Sequence, residues 1–456
     1  MKSSWKRLLV PVAILATAAT LLSGCSSGAS SPSNDNAKSF NWKNYSGTTI
    51  NALMVQHPMT DAIKQHLKEF EKLTGIKVNV EELDETDYMT KLTTELQSKA
   101  GDDDVFMTSQ PMNYQYAAAG WIQDLQPFID NPKLTEPSWD EKDFFPATIS
   151  ANRWDKTEFG GAGKGGLWAI PANEEGYALF YRKDILANAG MKPPTTIDEL
   201  VADANKLNGT AFDGKTISGF VSRGDKTYPT LNPFSTFFMS YGAKDITDKK
   251  ATMNSPTAIA ATQKWVDIMQ DAPKAASTFT WYEAEQYFLA GNSAFYIDAD
   301  HMAADFEKDG SAIKGKVGYS LPPAGPKGPA SSMWVWSLGM NAASKHQGAA
   351  WQLIQWATSK TTMTQALANG NINPVRQSVA QSPEMTKLTA DWGDYNQVWQ
   401  KILADYAHWP YTPAAQWTQV GDLWTTAIQS AVLKQQTVKQ ALDGVAKQVD
   451  QMISNQ

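Results

Sequence analysis

Thr49-Ile50-Asn51-Ala52-Leu53-Met54-Val55, then the helical pattern from Asp61 to Thr74, then Ile76-Lys77-Val78-Asn79-Val80, is the stretch that decides the fold class. The first run reads as an apolar strand. In the middle, Ile63, Leu67, Phe70 and Leu73 recur on one helical face, and Gly75 stops the helix. The last run alternates as a second strand. Strand, amphipathic helix and strand in this order argue for an α/β fold.

Toward the C-terminus the alternation continues. Tyr88 to Lys99 reads as a helix. Asp104-Val105-Phe106-Met107 reads as a third strand, entered from Asp102-Asp103-Asp104 as a solvated loop. Thr196-Ile197-Asp198-Glu199 is a capping box opening a helix through Leu200, Ala204 and Leu207. Ser255 with Pro256 starts a helix carrying Ile259, Val266 and Met269. Ser344 is expected to cap a helix through Leu353 and Ile354, with Trp351 and Trp356 as core residues. Thr437-Val438-Lys439-Gln440 is a second capping box, leading into Leu442, Val445, Val449 and Met452. There is no internal repeat.

Toward the N-terminus, Lys2, Lys6 and Arg7 precede an apolar run from Leu8 to Leu22. Its length of about fifteen residues suits a signal h-region and falls short of the ~20 that a spanning helix needs. Leu22-Ser23-Gly24-Cys25 resembles the bacterial lipobox. That resemblance implies a signal peptide over 1–24, cleavage before Cys25 and diacylation of its sulfur. Residues 25–39 would then be the lipidated Cys and a flexible tether rich in Ser, Gly, Asn and Pro. The expected location is outside the cytoplasm, lipid-anchored at the outer face of the cell membrane or in the periplasm. Cys25 is the only cysteine, which excludes an intramolecular disulfide and a structural thiolate metal site.

The remaining roughly 415 residues exceed one core, so two domains are expected. The net charge of −7 without a long basic run argues against nucleic acid as a partner. His57, His66, His301, His346 and His408 show no metal spacing. Gly160-Gly161-Ala162-Gly163-Lys164-Gly165-Gly166 lacks the first Gly and the Ser or Thr of a phosphate loop and reads as a flexible loop. No G-x-S-x-G nucleophile elbow is expected, since the match Gly24-Cys25-Ser26-Ser27-Gly28 falls in the lipobox segment, and no glycosidase carboxylate pair can be singled out. A binding protein rather than an enzyme is expected, without cofactor or metal and as a monomer. The chain holds 17 Trp. Most belong in cores, but a flat ring also suits the apolar face of a sugar in a rigid-walled site.

Several segments carry a family resemblance. These are Phe70-Glu71-Lys72-Leu73-Thr74-Gly75-Ile76-Lys77-Val78, Asp104-Val105-Phe106 through Ala119-Gly120-Trp121-Ile122-Gln123-Asp124-Leu125, and Trp168-Ala169-Ile170-Pro171. Leu179-Phe180-Tyr181-Arg182-Lys183-Asp184 follows, with Ala189-Gly190 and Pro193-Pro194-Thr195-Thr196. Phe288-Leu289-Ala290-Gly291-Asn292-Ser293-Ala294-Phe295, Val317-Gly318 with Leu321-Pro322-Pro323, and Gly339-Met340-Asn341-Ala342-Ala343-Ser344-Lys345 complete the set. Together they resemble extracellular solute-binding protein family 1, which contains maltose- and other sugar-binding components of ABC importers.

The resemblance implies an α/β, two-lobe periplasmic-binding-protein fold (type II-like), with a hinge and a ligand cleft between the lobes. By analogy, lobe 1 is 40–175 plus 296–342, and lobe 2 is 176–295 plus 343–456. It implies capture of a sugar, oligosaccharide or polyol and delivery to an ABC permease. Another solute class on the same fold, and a secreted glycosidase, stay as alternatives. Loops after strand C-termini offer Gln56, His57, Ser109 and Gln110. The resemblance places a ligand-contacting carboxylate at Glu175, with Tyr177 beside it, and a binding loop at Asp298, Asp300 and His301. Trp334 and Trp336 alternate on one strand and face one side. The resemblance puts a polar contact at Arg376, and Trp417 belongs to an aromatic loop with Trp409 and Tyr411. Glu174 is expected at the surface, Asp300 could cap a helix, and Trp281 is expected to pack. Thr108 and His301 stand where the maltose-binding pattern has aromatic residues, so the ligand class is less fixed than the fold.

Overall fold

A computed structural model describes residues 39–455. The expected signal peptide, Cys25 and all of the tether except Ser39 lie outside the described residues.

The opening stretch folds as read. β1 (Thr49–Val55) and β2 (Lys77–Leu83) pair in parallel, joined by α1 (Pro58–Thr74). The helix starts earlier than its apolar pattern, because Pro58 sits at the first helical position and the His57 side chain caps it. α2 (Glu85–Ser98) leads to β3 (Val105–Thr108), which pairs in parallel with β1. α3 (Gln110–Ala119) follows. Asp104 is no solvated loop residue: its buried carboxylate accepts from Asn51 N at 3.0 Å and Ser344 Oγ at 2.6 Å.

The key element is β4 (Ala169–Arg182), buried over almost all its length. The remaining strands are β5 (Ser218–Val221), β6 (Ser293–Ala299), β7 (Val317–Ser320), β8 (Ser331–Met340) and β9 (Ala407–His408). The sheet order is β2-β1-β3-β8-β4-β6-β5, with β7 also on β4 and β9 on β8. Residues 169–176 of β4 pair with β8, whereas residues 177–181 pair with β6. One strand thus passes from one lobe's sheet into the other's, and the exchange falls at Gly176/Tyr177. A Cβ at Gly176 would lie 2.7 Å from Ile402 Cγ2 and 2.9 Å from Asp300 Oδ2, so glycine is needed for close approach.

The second-lobe helices include α4 (Ile197–Leu207), α5 (Pro256–Met269) and α6 (Trp281–Leu289). Both expected capping boxes form, at Thr196 and Thr437, and Ser255 caps α5. Ser344 does not cap α7 (Gln347–Ala357). His346 holds that position while the Ser344 hydroxyl donates to Asp104. The C-terminal helices are α8 (Trp417–Val432) and α9 (Val438–Ser454).

Residues expected together in the second lobe divide in their packing. Trp351, Ile354, Val375 and Trp399 join the hydrophobic cluster of the first sheet. Trp417, Trp424, Leu442 and Val449 join the cluster around α4 and α5. The segment after 343 therefore covers both lobes, because α7 buries its apolar face on the first-lobe core before the chain returns at α8.

Candidate functional site

The registers show why side chains converge. β1, β2 and β3 run parallel in this part of the sheet, and Thr108 at the end of β3 pairs with Ser337 of β8. β5 and β6 are parallel in the other part, and Ala299 at the end of β6 pairs with Tyr177. Carboxyl ends of strands from both lobes thus meet at the β4 exchange point, the place where open α/β sheets bind ligands.

Glu175 lies at that point and is 6% exposed. Burial pushes its carboxyl up to about 8. Arg223 opposes this, and Glu85, Asp298 and Glu174 add to it. His301 Nδ1 stands 3.9 Å from Glu175 Oε1, too far for a hydrogen bond. Burial favours the neutral form of both. It lowers His301 to about 4, and it lowers His57 to about 3 with help from the charge of His301. His57 Nδ1 accepts from Met59 N at 3.1 Å.

An aromatic arc adjoins them. The His57 ring is 6.4 Å from His301 and 6.2 Å from Trp336. Trp336 meets Trp334 edge-on at 5.6 Å, and Tyr228 stacks on Trp334 at 6.1 Å. Trp409 is 6.3 Å from Trp334. Trp417 stands behind, 5.0 Å from Trp409 and 5.7 Å from Tyr228. Among the buried polar atoms in this region without a protein partner are His57 Nε2, Ser109 Oγ, Asp300 Oδ2 and His301 Nδ1. Buried polar groups are normally paired, so these atoms are open to a partner that the protein itself does not supply.

Other expected residues serve the site indirectly. Gln110 Nε2 donates to Met333 O at 3.2 Å and its Oε1 accepts from Val335 N at 3.1 Å, so it braces β8. Asp298 is taken by Arg223, whose Nε lies 2.9 Å from Oδ2 and whose Nη2 lies 2.5 Å from Oδ1. The ring of Tyr177 lies 5.8 Å from the Arg223 guanidinium. Asp300 Oδ1 accepts from Gly176 N at 3.1 Å and Asn373 Nδ2 at 2.5 Å, tying the exchange point to a first-lobe loop. It stands inside a short helical turn capped by Ala299 rather than capping one itself. Gln56 is exposed at the rim.

Arg376 is not in the cleft. Its guanidinium donates to Thr358 O at 2.6 Å, Trp139 O at 2.6 Å, Asp140 O at 3.0 Å and Asp143 Oδ2 at 3.1 Å. Glu174 is fully buried, not at the surface, with Trp399 Nε1 donating to it at 3.1 Å. On alternating β4, Glu174 points into the first-lobe core and Glu175 to the opposite face, toward His301. Sequence reasoning missed Glu85, Arg223 and Tyr228. Glu85 and Arg223 each lie two residues beyond a strand end. The strand-end rule that gave His57 and Ser109 could have found them.

The model for bacterial extracellular solute-binding proteins matches residues 57–364. The erythritol/L-threitol-binding protein of Mycolicibacterium smegmatis is 34% identical over 400 residues, covering 86% of this chain and 83% of that protein. A ribitol complex of a solute-binding protein from Agrobacterium radiobacter superposes with TM-score 0.78 at 24% identity, over 89% of this chain and 99% of that one. A maltose-bound T. maritima protein gives 0.76 at 24% identity, over 89% and 100%. A single strand crossing between two lobes, strand ends from both converging on it, and these matches lead to one conclusion: the chain belongs to the bacterial extracellular solute-binding protein family.

Proposed function

We propose that this protein captures a short polyol for an ABC importer and hands it to the membrane permease, with Cys25 as its lipid anchor. The observation that carries the ligand class is the cluster of partnerless polar atoms, His57 Nε2, Ser109 Oγ and His301 Nδ1, beside the Glu175 carboxyl. Hydroxyls on successive carbons can both donate to the carboxyl and accept from or donate to these atoms. The aromatic arc favours a thin chain over a stacked pyranose. Trp334 is 3% exposed, with Tyr228 on its face and Trp336 edge-on, so protein already covers the platform a sugar ring would use. The name of the relative from Mycolicibacterium smegmatis agrees with a four-carbon polyol.

Isothermal titration with erythritol, L-threitol, ribitol, mannitol and maltose tests the ligand class. Tetritols or pentitols are expected to bind, and at 100 times Kd to add about 2.7 kcal/mol of stability. Binding of maltose alone, or of none of these, removes the polyol reading. Incubation with oligosaccharides is expected to give no products. Cys25→Ala is expected to release the protein from membranes, and a variant that stays bound with unchanged gel mobility removes the anchor.

A further inference from the structure

One hydrogen bond runs from lobe to lobe beside the site. Trp281 Nε1, on the first residue of α6, donates to Glu85 Oε2, on the first residue of α2, at 3.1 Å across 196 positions of sequence. The position of each end is fixed. Glu85 opens its helix two residues after β2, and the Thr280–Glu283 capping box sets the start of α6. Arg223 and Asp225 from the second lobe lie close enough to act on the Glu85 charge, and Glu85 in turn acts on Glu175. The bond therefore adjoins the Arg223 side of the site. The next residue, Tyr282, is 55% exposed. Trp281 itself is half-buried, so the bond stands where this side of the site meets solvent.

We propose that Glu85 and Trp281 form a size filter that sets the upper length of the ligand. A chain reaching past Arg223 meets the indole. To pass, it must part Trp281 from Glu85 and leave a carboxylate between the lobes without its donor. A short polyol ends before that point and leaves the bond intact, so closing the lobes makes a protein–protein contact that a longer ligand forfeits. Specificity then comes partly from a penalty on the wrong ligand. This inference rests on the short-polyol reading.

Calorimetry on the protein with erythritol, ribitol, mannitol and the disaccharide alcohol maltitol tests it. The wild type is expected to bind a short alditol about a hundredfold more tightly than maltitol. In Trp281→Ala the short-alditol affinity should fall about tenfold while maltitol gains, closing most of the gap. Trp281→Phe keeps a ring but loses the N–H. It should weaken the short alditols and narrow the gap, though by less than Trp281→Ala, because the bond is then absent for every ligand while the ring still blocks the way. An unchanged gap in a Trp281→Ala protein of wild-type melting temperature overturns the filter. If Trp281→Ala lowers the melting temperature sharply, Glu85→Ala opens the same side from the other lobe and is read in the same way. A wild type that binds no alditol removes the ligand class and the filter with it, whereas alditol binding with an unmoved gap removes the filter alone.

Discussion

Arg376 and Glu175 are both buried ionisable side chains that the family resemblance pointed to, yet they sit in opposite surroundings. Every contact of Arg376 is with protein: carbonyls of Trp139, Asp140 and Thr358, the Asp143 carboxylate, and the Phe144 ring 4.0 Å below it. Beside Glu175 stands His301 Nδ1, 3.9 Å away and without a protein partner. A buried polar side chain saturated by protein belongs to the fold, while one among unsaturated neighbours belongs to a ligand. The largest expected effect tests the first half of that contrast. Arg376→Met takes the guanidinium donors from three carbonyls and the cation from the Asp143 carboxylate, which keeps only Ser378, and should cost about 3–5 kcal/mol of stability. Chemical denaturation measures it, and the folded fraction should keep its ligand affinity. A stable variant with lost affinity would place Arg376 back in the site.

The opposite half predicts the opposite split. Glu175→Ala leaves ligand hydroxyls unpaired in a buried site and should cost about 1–3 kcal/mol in binding, or roughly five- to a hundredfold in affinity. Its melting temperature without ligand should not fall, because a buried carboxyl without good partners adds little to the fold. Titration calorimetry beside a melting curve decides this. A loss of stability larger than the loss of affinity would make Glu175 a structural residue like Arg376.

The same contrast explains what was legible in the sequence. The α/β class, both capping boxes and the β4 block were legible, because apolar period and cap chemistry are local properties. Glu175 and the two Trp of β8 were placed by the resemblance and by alternation. Arg376 and Glu174 were misplaced, because the face of a strand or loop that a charge occupies depends on partners far along the chain. Arg376 bonds carbonyls more than two hundred residues away, and Glu174 bonds Trp399. The division of the segment after 343 between two cores was invisible for the same reason.

Two adjacent residues repeat the comparison on a smaller scale. Gln110 bonds β8 through both ends of its amide, while the buried Ser109 hydroxyl has no partner. Ser109→Ala should leave stability unchanged and cost about 1 kcal/mol in binding, roughly fivefold. Gln110→Ala should do the reverse, losing about 1–3 kcal/mol of stability by stranding Met333 O and Val335 N. If both variants behave alike in melting and titration, counting unpaired atoms does not locate this site.

The smallest effect is the dependence of affinity on pH, and it follows from three groups that change environment when the lobes close. In an open cleft His57 and His301 titrate near the ordinary 6.5, and Glu175 near 4.5. In the closed form the histidines are held at about 3 and about 4, and Glu175 at about 8. A lowered histidine must give up its proton to close, so closure weakens as pH falls below 6.5. A raised carboxyl must take up a proton to close, so closure weakens as pH rises from 4.5 toward 8. At pH 6.5 the half-protonated histidines release about one proton between them and Glu175 takes up about one, so the slope vanishes there. Affinity should therefore peak near pH 6.5 and fall by roughly threefold per pH unit on either side. Burial raises Glu85 as well, which moves the peak lower without removing it, and the Arg223 guanidinium stays charged throughout. Asp298 is paired with Arg223. Titration calorimetry from pH 5 to 8, in buffers of different ionisation enthalpy, reads both the affinity and the protons exchanged. Net release at pH 5.5 and net uptake at pH 7.5 are expected, and a flat profile without proton exchange would show that the cleft does not dry these groups when it closes.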